Sequence, residues 1–244
     1  MNLFITSSPF LWGTNAAFLN PENHFVDNLK EVLPPFPRVL FVASDPERHD
    51  LTCCFAMDVV DAFKQAEIPF SAFQELDGSD AEQAAELVHS SDFLVLAGGH
   101  VPTQNNFFRE IGLREILRDF QGTVMGISAG SMNMADMAYI QPEEEGEGID
   151  PDFVRFAPGL GLTEVNVLPH YQNCKDDVLD GLHLFEDITY PDSMGNTFFA
   201  LPDGSYFFQN EDTLLLFGEA YLLRDGILSP LTRSGDCLNM AEFE

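Results

Sequence analysis

Positive charge is what this chain has least of: 11 Lys and Arg stand against 40 Asp and Glu, a formal net charge of −29 over 244 residues. Nucleic-acid backbones and anionic membrane surfaces are held by clustered cations, so neither is expected as a partner. Tryptophan is reduced to Trp12, against 23 Phe, and the core should therefore pack on phenylalanine. The four cysteines, Cys53, Cys54, Cys174 and Cys237, match no metal-ligand spacing and no disulfide framework; neither metal nor organic cofactor is expected. No apolar run approaches the ~20 residues of a membrane span. The first residues, Met1 to Ser8, lack the basic region and long apolar stretch of a signal peptide. A protein of a reducing cytoplasm is the expectation.

What the chain does have is alternation. Short apolar runs at Leu3–Thr6, Val39–Ala43, Phe93–Leu96 and Thr123–Met125 read as buried strands, and Phe70–Leu76 as an alternating one. Between them lie helical patterns at Glu22–Leu33, from Asp45 or Asp50 to Gln65, at Ala81–His89 and from Gln104 to Phe120. Strand–helix alternation of this kind predicts an α/β fold, a doubly wound and mostly parallel sheet flanked by helices, with ligands at the carboxyl ends of its strands. Later, Glu164–Leu168 reads as a strand, Val178–Phe185 as a helix, and Thr197–Arg224 as an antiparallel meander. No repeat or linker divides residues 1–244, so one domain with a C-terminal antiparallel extension is expected. The run Glu143–Gly148 reads as a mobile, solvated acidic loop.

The chemistry centres on Gly126-Ile127-Ser128-Ala129-Gly130-Ser131. A strand, a sharp turn of small residues and a helix form the setting in which G-x-S-x-G becomes a nucleophile elbow, with Ser128 raised above the sheet. A serine nucleophile needs a base, an acid to orient it, and donors for the oxyanion. Of six histidines, His170 stands apart, because Leu168-Pro169-His170 ends a strand after a residue that fixes the backbone. His100 is its rival, following the Gly98-Gly99 turn. Gly99 and Ala129 are the expected oxyanion donors, and His100 and Gln104 are assigned to the substrate pocket. For the acid, Asp136, Glu143, Asp192 and Asp203 all remain candidates.

Together, Gly98-Gly99, the 126–131 elbow, Gly159-Leu160-Gly161-Leu162 and Pro169-His170-Tyr171 resemble the aspartyl dipeptidase (peptidase E) and cyanophycinase family of serine peptidases. The resemblance runs from about residue 38 to residue 210. It implies the class I glutamine amidotransferase-like fold, with serine in place of a cysteine nucleophile. It also implies a Ser128–His170–Asp203 triad, since Leu201-Pro202-Asp203-Gly204 falls where peptidase E has Leu-Pro-Glu-Gly. Two departures stand out. The segment Asn173–Asp177 is short and has no arginine, the natural partner of a substrate aspartate. Relatives have Gly-Gly-Asn or Gly-Gly-Asp where this chain has Gly98-Gly99-His100. A serine exopeptidase or dipeptidase acting on a small peptide, as monomer or homodimer, is therefore expected. The alternative is a catalytically inactive, amidotransferase-like binding or regulatory module, marked by Ser128 and His170 lying apart or by a mouth filled by the acidic loop. An ordinary α/β-hydrolase esterase, whose acid precedes its histidine in the chain, is a weaker third reading.

Overall fold

The computed structural model describes residues 1–13 and 16–243, with the backbone alone at Trp12. Its main sheet has eight strands: β1 (Asn2–Thr6), β2 (Arg38–Val42), β3 (Ala72–Leu76), β4 (Phe93–Leu96), β5 (Thr123–Ile127), β6 (Tyr206–Gln209), β7 (Leu214–Phe217) and β8 (Cys237–Asn239). They lie in the order β8-β7-β6-β1-β5-β4-β2-β3. The five from β1 to β3 are parallel, and β6, β7 and β8 extend the sheet antiparallel. This is the expected mostly parallel architecture with an antiparallel extension.

Side chains alternate between faces along a strand, and the continuous apolar runs therefore supply two cores. Leu3, Ile5, Leu40, Val42, Leu94, Leu96 and Val124 pack on one face with Val101, Phe107 and Phe108 of helix Val101–Glu110. Phe4, Phe41, Phe93, Val95, Met125 and Ile127 pack on the other with Val59 and Phe63 of helix His49–Gln65. Helices cover both faces, which is why these strands could be apolar throughout.

A second sheet, in the order Val167–Leu168, Thr197–Ala200, Ala220–Arg224, Ile227–Thr232, stands over the carboxyl edge of the first through its loops. Its first two strands run parallel, with Leu168 opposite Ala200. Only these two residues of the expected Glu164–Leu168 strand pair, and the strands Ile227–Thr232 and Cys237–Asn239 went unanticipated.

Several helices differ from expectation. Residues 178–183 are not helical, and the helix begins only at Leu184: Val178 pairs with His183 and Leu179 with Leu182 in a hairpin around Asp180 and Gly181, both at positive φ (55° and 83°). Asp-Gly is a preferred two-residue hairpin turn, and it overrode the helix-like spacing of the leucines. The helix expected to start at Gln104 starts at Val101 and breaks at Gly112, whose φ is 66°. The helix expected at Ala81–His89 opens as a tight turn, Gly78–Gln83, capped by the Asp77 carboxylate on the Ser79 amide, and is α-helical only over Ala84–His89. Neither Asp45 nor Asp50 caps His49–Gln65. Among the described residues no helix is long and apolar enough to cross a membrane.

Candidate active site

The elbow forms where β5 ends. Ser128 has φ 50° and ψ −112°, a conformation that non-glycine residues rarely adopt. Such strain persists only where the surroundings over-determine it, and here they do. The Ser128 amide donates to the carbonyls of Thr6 (3.2 Å) and Ser7 (2.9 Å) at the end of β1. The buried Ser131 hydroxyl accepts from the Thr6 amide and donates to the Thr6 carbonyl, each at 2.8 Å. A Cβ on Gly126 would come within 2.6 Å of the Ser131 amide nitrogen, and one on Gly130 within 2.4 Å of the Leu96 carbonyl oxygen, so both positions demand glycine. The helix behind the elbow is a single turn, Ala129–Met132. Its dipole is correspondingly small, and any stabilisation of negative charge falls to individual amides. Among the described residues neither the Gly99 nor the Ala129 amide is taken up by another group of the protein.

His170 and Asp203 meet because two neighbouring parallel strands end alike. Val167–Leu168 is followed by Pro169 and His170, and Thr197–Ala200 by Leu201, Pro202 and Asp203. The Leu201 amide bonds the Leu168 carbonyl and the Tyr171 amide bonds the Leu201 carbonyl, which keeps the two exits side by side. His170 Nδ1 lies 2.7 Å from Asp203 Oδ1, leaving Nε2 as the nitrogen free to act. The Gln172 amide group donates to Asp203 Oδ2 (2.6 Å), and its oxygen accepts from the Asp203 backbone (3.0 Å). Burial works to raise the Asp203 carboxyl, but His170 with its bond and charge, Ser7 and Gln172 outweigh it and hold the group below the ordinary carboxylate value. Of the four carboxylates considered from sequence, Asp203 alone bonds a histidine: Asp136 pairs with Arg114, Asp192 accepts from Tyr139, and Glu143 lies in the cleft wall.

Ser7 is a residue to which sequence reasoning gave no role. It is fully buried, and its hydroxyl donates to Asp203 Oδ1 (2.9 Å) while accepting the His170 amide (2.7 Å). Its carbonyl holds the Ser128 amide. Its position at the end of a central strand was the available signal.

Ser128, Gly99, His170, Glu143, Cys174 and Leu184 line one open cleft of about 670 Å³. The acidic loop therefore does not fill the mouth. Among the described residues the Ser128 hydroxyl makes no hydrogen bond, to His170 or to any other group. Cys174 is no rival nucleophile: burial, seconded by Asp177, pushes its thiol up to about 12. A smaller apolar cavity of about 160 Å³, beside Phe108, Arg114 and Leu160, holds none of the predicted site residues.

Two expectations need correction. Gln104 does not face the cleft: it is fully buried, with its amide group on the Ala97 carbonyl (2.7 Å) and its oxygen accepting from Asn133 (3.1 Å). A buried amide must satisfy both ends, and this one does so inside the fold. The 143–148 loop is not a free solvated segment, since Glu147 bonds the amides of Glu143 and Glu144, and Asp180 those of Gly146 and Gly148. His100 beside it bonds Glu147 (2.8 Å) and Thr103 (2.8 Å). Ligand atoms of His100, Glu144 and Glu147 come within 4.8 Å of one another, but Glu147 already spends both oxygens on this latch.

Comparison with known proteins bears on the family and the fold. The model of peptidase family S51 matches residues 13–216. The fold is similar to that of a peptidase from an acI-B1 Actinobacterium, with a TM-score of 0.63 and 16% identity, covering 98% of this chain and 96% of that one. It is also similar to a protein assigned as a peptidase E of Listeria monocytogenes EGD-e, with a TM-score of 0.56 and 17% identity, covering 95% and 98%. No functionally curated protein matches the chain.

Proposed function

Because this chain belongs to peptidase family S51 and is a serine-type peptidase, we propose that it hydrolyses small peptides through an acyl-enzyme formed on Ser128. One observation carries the reading: a histidine oriented through Nδ1 by Asp203 shares a cleft with a serine held at a strained elbow.

In this mechanism Ser128 Oγ attacks the scissile carbonyl carbon while His170 Nε2 takes its proton. Asp203 keeps the other ring nitrogen protonated and offsets the charge of the imidazolium. The carbonyl oxygen, now an oxyanion, is received by the Gly99 and Ala129 amides, which among the described residues no other group occupies. On collapse the C–N bond breaks and His170 returns the proton to the leaving amine. Water then attacks the ester, again losing its proton to His170, and the acid product leaves with Ser128 restored. The Ser128–His170 hydrogen bond forms only once substrate is seated, as is common in apo active sites.

A fluorophosphonate tests the assignment directly. It should label Ser128 stoichiometrically, identified by peptide mapping, and peptide hydrolysis should fall in proportion to labelling. Labelling elsewhere with activity intact would rule Ser128 out. Ser7 is given a positioning role. Ser7→Ala deprives Asp203 of a donor and the His170 amide of its acceptor, at about 1–3 kcal/mol for a buried partner left unpaired. We expect kcat to fall roughly 10- to 100-fold with KM nearly constant, measured by steady-state kinetics. An unchanged kcat would mean that Ser7 supports the fold only.

A further inference from the structure

The charge around the cleft carries a substrate preference, an inference that rests on the peptidase reading of Ser128. Besides His170 and Cys174, the titratable residues lining the cleft are the carboxylates Glu143 and Asp177, and among the described residues no Lys or Arg lines it. The same cleft has apolar lining from Val178, Leu179 and Leu184, which belong to the Asp180-Gly181 hairpin and the start of the helix after it. A peptide carrying an aspartate beside the scissile bond would meet carboxylates and no cation. A peptide carrying a positive charge on an aliphatic stem would meet both an apolar surface and an anion.

Glu143 is also held in place, which distinguishes it from an ordinary solvated acid. Its own amide and that of Glu144 donate to Glu147 Oε2, at 2.8 and 3.0 Å. Glu147 Oε1 bonds His100 Nε2 at 2.8 Å, and His100 follows Gly99, which lines the same cleft. From the other side Asp180 accepts the amides of Gly146 (2.8 Å) and Gly148 (2.9 Å). The backbone around residue 143 is thus pinned, while among the described residues the Glu143 carboxylate itself accepts no hydrogen bond from the protein. His100 ties the loop from one side and Asp180 from the other.

We propose that Glu143 is the specificity residue of this cleft and receives an ammonium or guanidinium group of the peptide, on a basic side chain or at a free amino terminus. The contact is a charge-assisted hydrogen bond, among the stronger of its kind. The groups facing Glu143 are His100 and His170, which favour its charged form, and Glu144 and Glu147, which oppose it. Although Glu143 keeps exposed surface toward the cleft, the surrounding walls desolvate it and push its carboxyl up to about 7. A seated cation holds it ionised, so binding below that pH releases a proton.

The test uses the full chain and matched peptides: one with Lys against its norleucine counterpart, and one with a free against an acetylated amino terminus. We expect kcat/KM for at least one charged peptide to exceed its neutral match by about 10- to 100-fold. In Glu143→Gln that ratio should collapse to within about threefold of unity. The Lys arm identifies a basic side chain as the source of charge, and the acetylation arm the amino terminus. Where turnover is too slow to compare, protection of Ser128 from fluorophosphonate by the same peptides yields the ratio. Equal rates for charged and neutral peptides, or a preference that survives Glu143→Gln, overturns the proposal. Ser128→Ala separates the two readings: if it abolishes hydrolysis while the parental protein ignores charge, only the specificity inference fails.

Discussion

Ser128→Ala should lower kcat by roughly 10⁴- to 10⁶-fold, leaving the residual rate that binding and oxyanion donors alone support. The fold should barely notice, because the Ser128 hydroxyl makes no hydrogen bond among the described residues and its Cβ remains. A change within about 0.5 kcal/mol is expected in denaturant unfolding. The sharper form of the experiment is a cycle with His170→Ala. Attack and proton transfer are one event, so the double variant should be little slower than either single one. Steady-state rates on a common peptide would check this. Multiplicative losses would show that the two residues act independently, and a Ser128→Ala protein with parental turnover would end the nucleophile assignment.

The second large effect is on stability. In Gly130→Ala the new methyl would lie 2.4 Å from the Leu96 carbonyl oxygen and 2.9 Å from that of Ala97. Both neighbours are backbone at the end of a central strand, so no side chain can swing aside to relieve the clash. Overpacking of this kind costs about 1–3 kcal/mol or more, and for a chain of this size we expect Tm to fall by roughly 5–10 °C. Displacement of the elbow should also cost most of the activity, because Ser128 sits two residues away. A melting curve and a single-turnover assay are sufficient, and a variant as stable and active as the parent would show that the close crossing is dispensable.

How much of this was legible in the sequence depended on the range of the constraint. The elbow was readable because its requirement is local: a strained serine needs small flanking residues, and Gly126 and Gly130 announce it. The parallel sheet was readable because strands covered on both faces must be apolar throughout, as Phe93–Leu96 is. The acid was not decided by residue type, since its choice hangs on the pairing of a two-residue strand, Val167–Leu168, with Thr197–Ala200. That contact is non-local, and only the resemblance to a family favoured Asp203. Ser7 escaped for the same reason, its hydroxyl serving residues more than 160 positions away. The hairpin at 178–183 was available in principle through Asp180-Gly181, but the spacing of Val178, Leu179 and Leu182 mimicked a helix. Gln104 illustrates the opposite hazard: a polar residue near a functional turn can be wholly internal when the fold supplies partners for both ends of its amide.

The Asp203–His170 pair and the Ser128 elbow stand on different sheets, and the buried Ser7 oxygen and carbonyl bridge them. In mechanical terms Ser7 is the pin of a joint. Slippage between the sheets would part base from nucleophile while leaving each sheet's own ladder whole. Activity and fold are thus separable properties of this molecule, and this serine is one of the points that hold base and nucleophile in register.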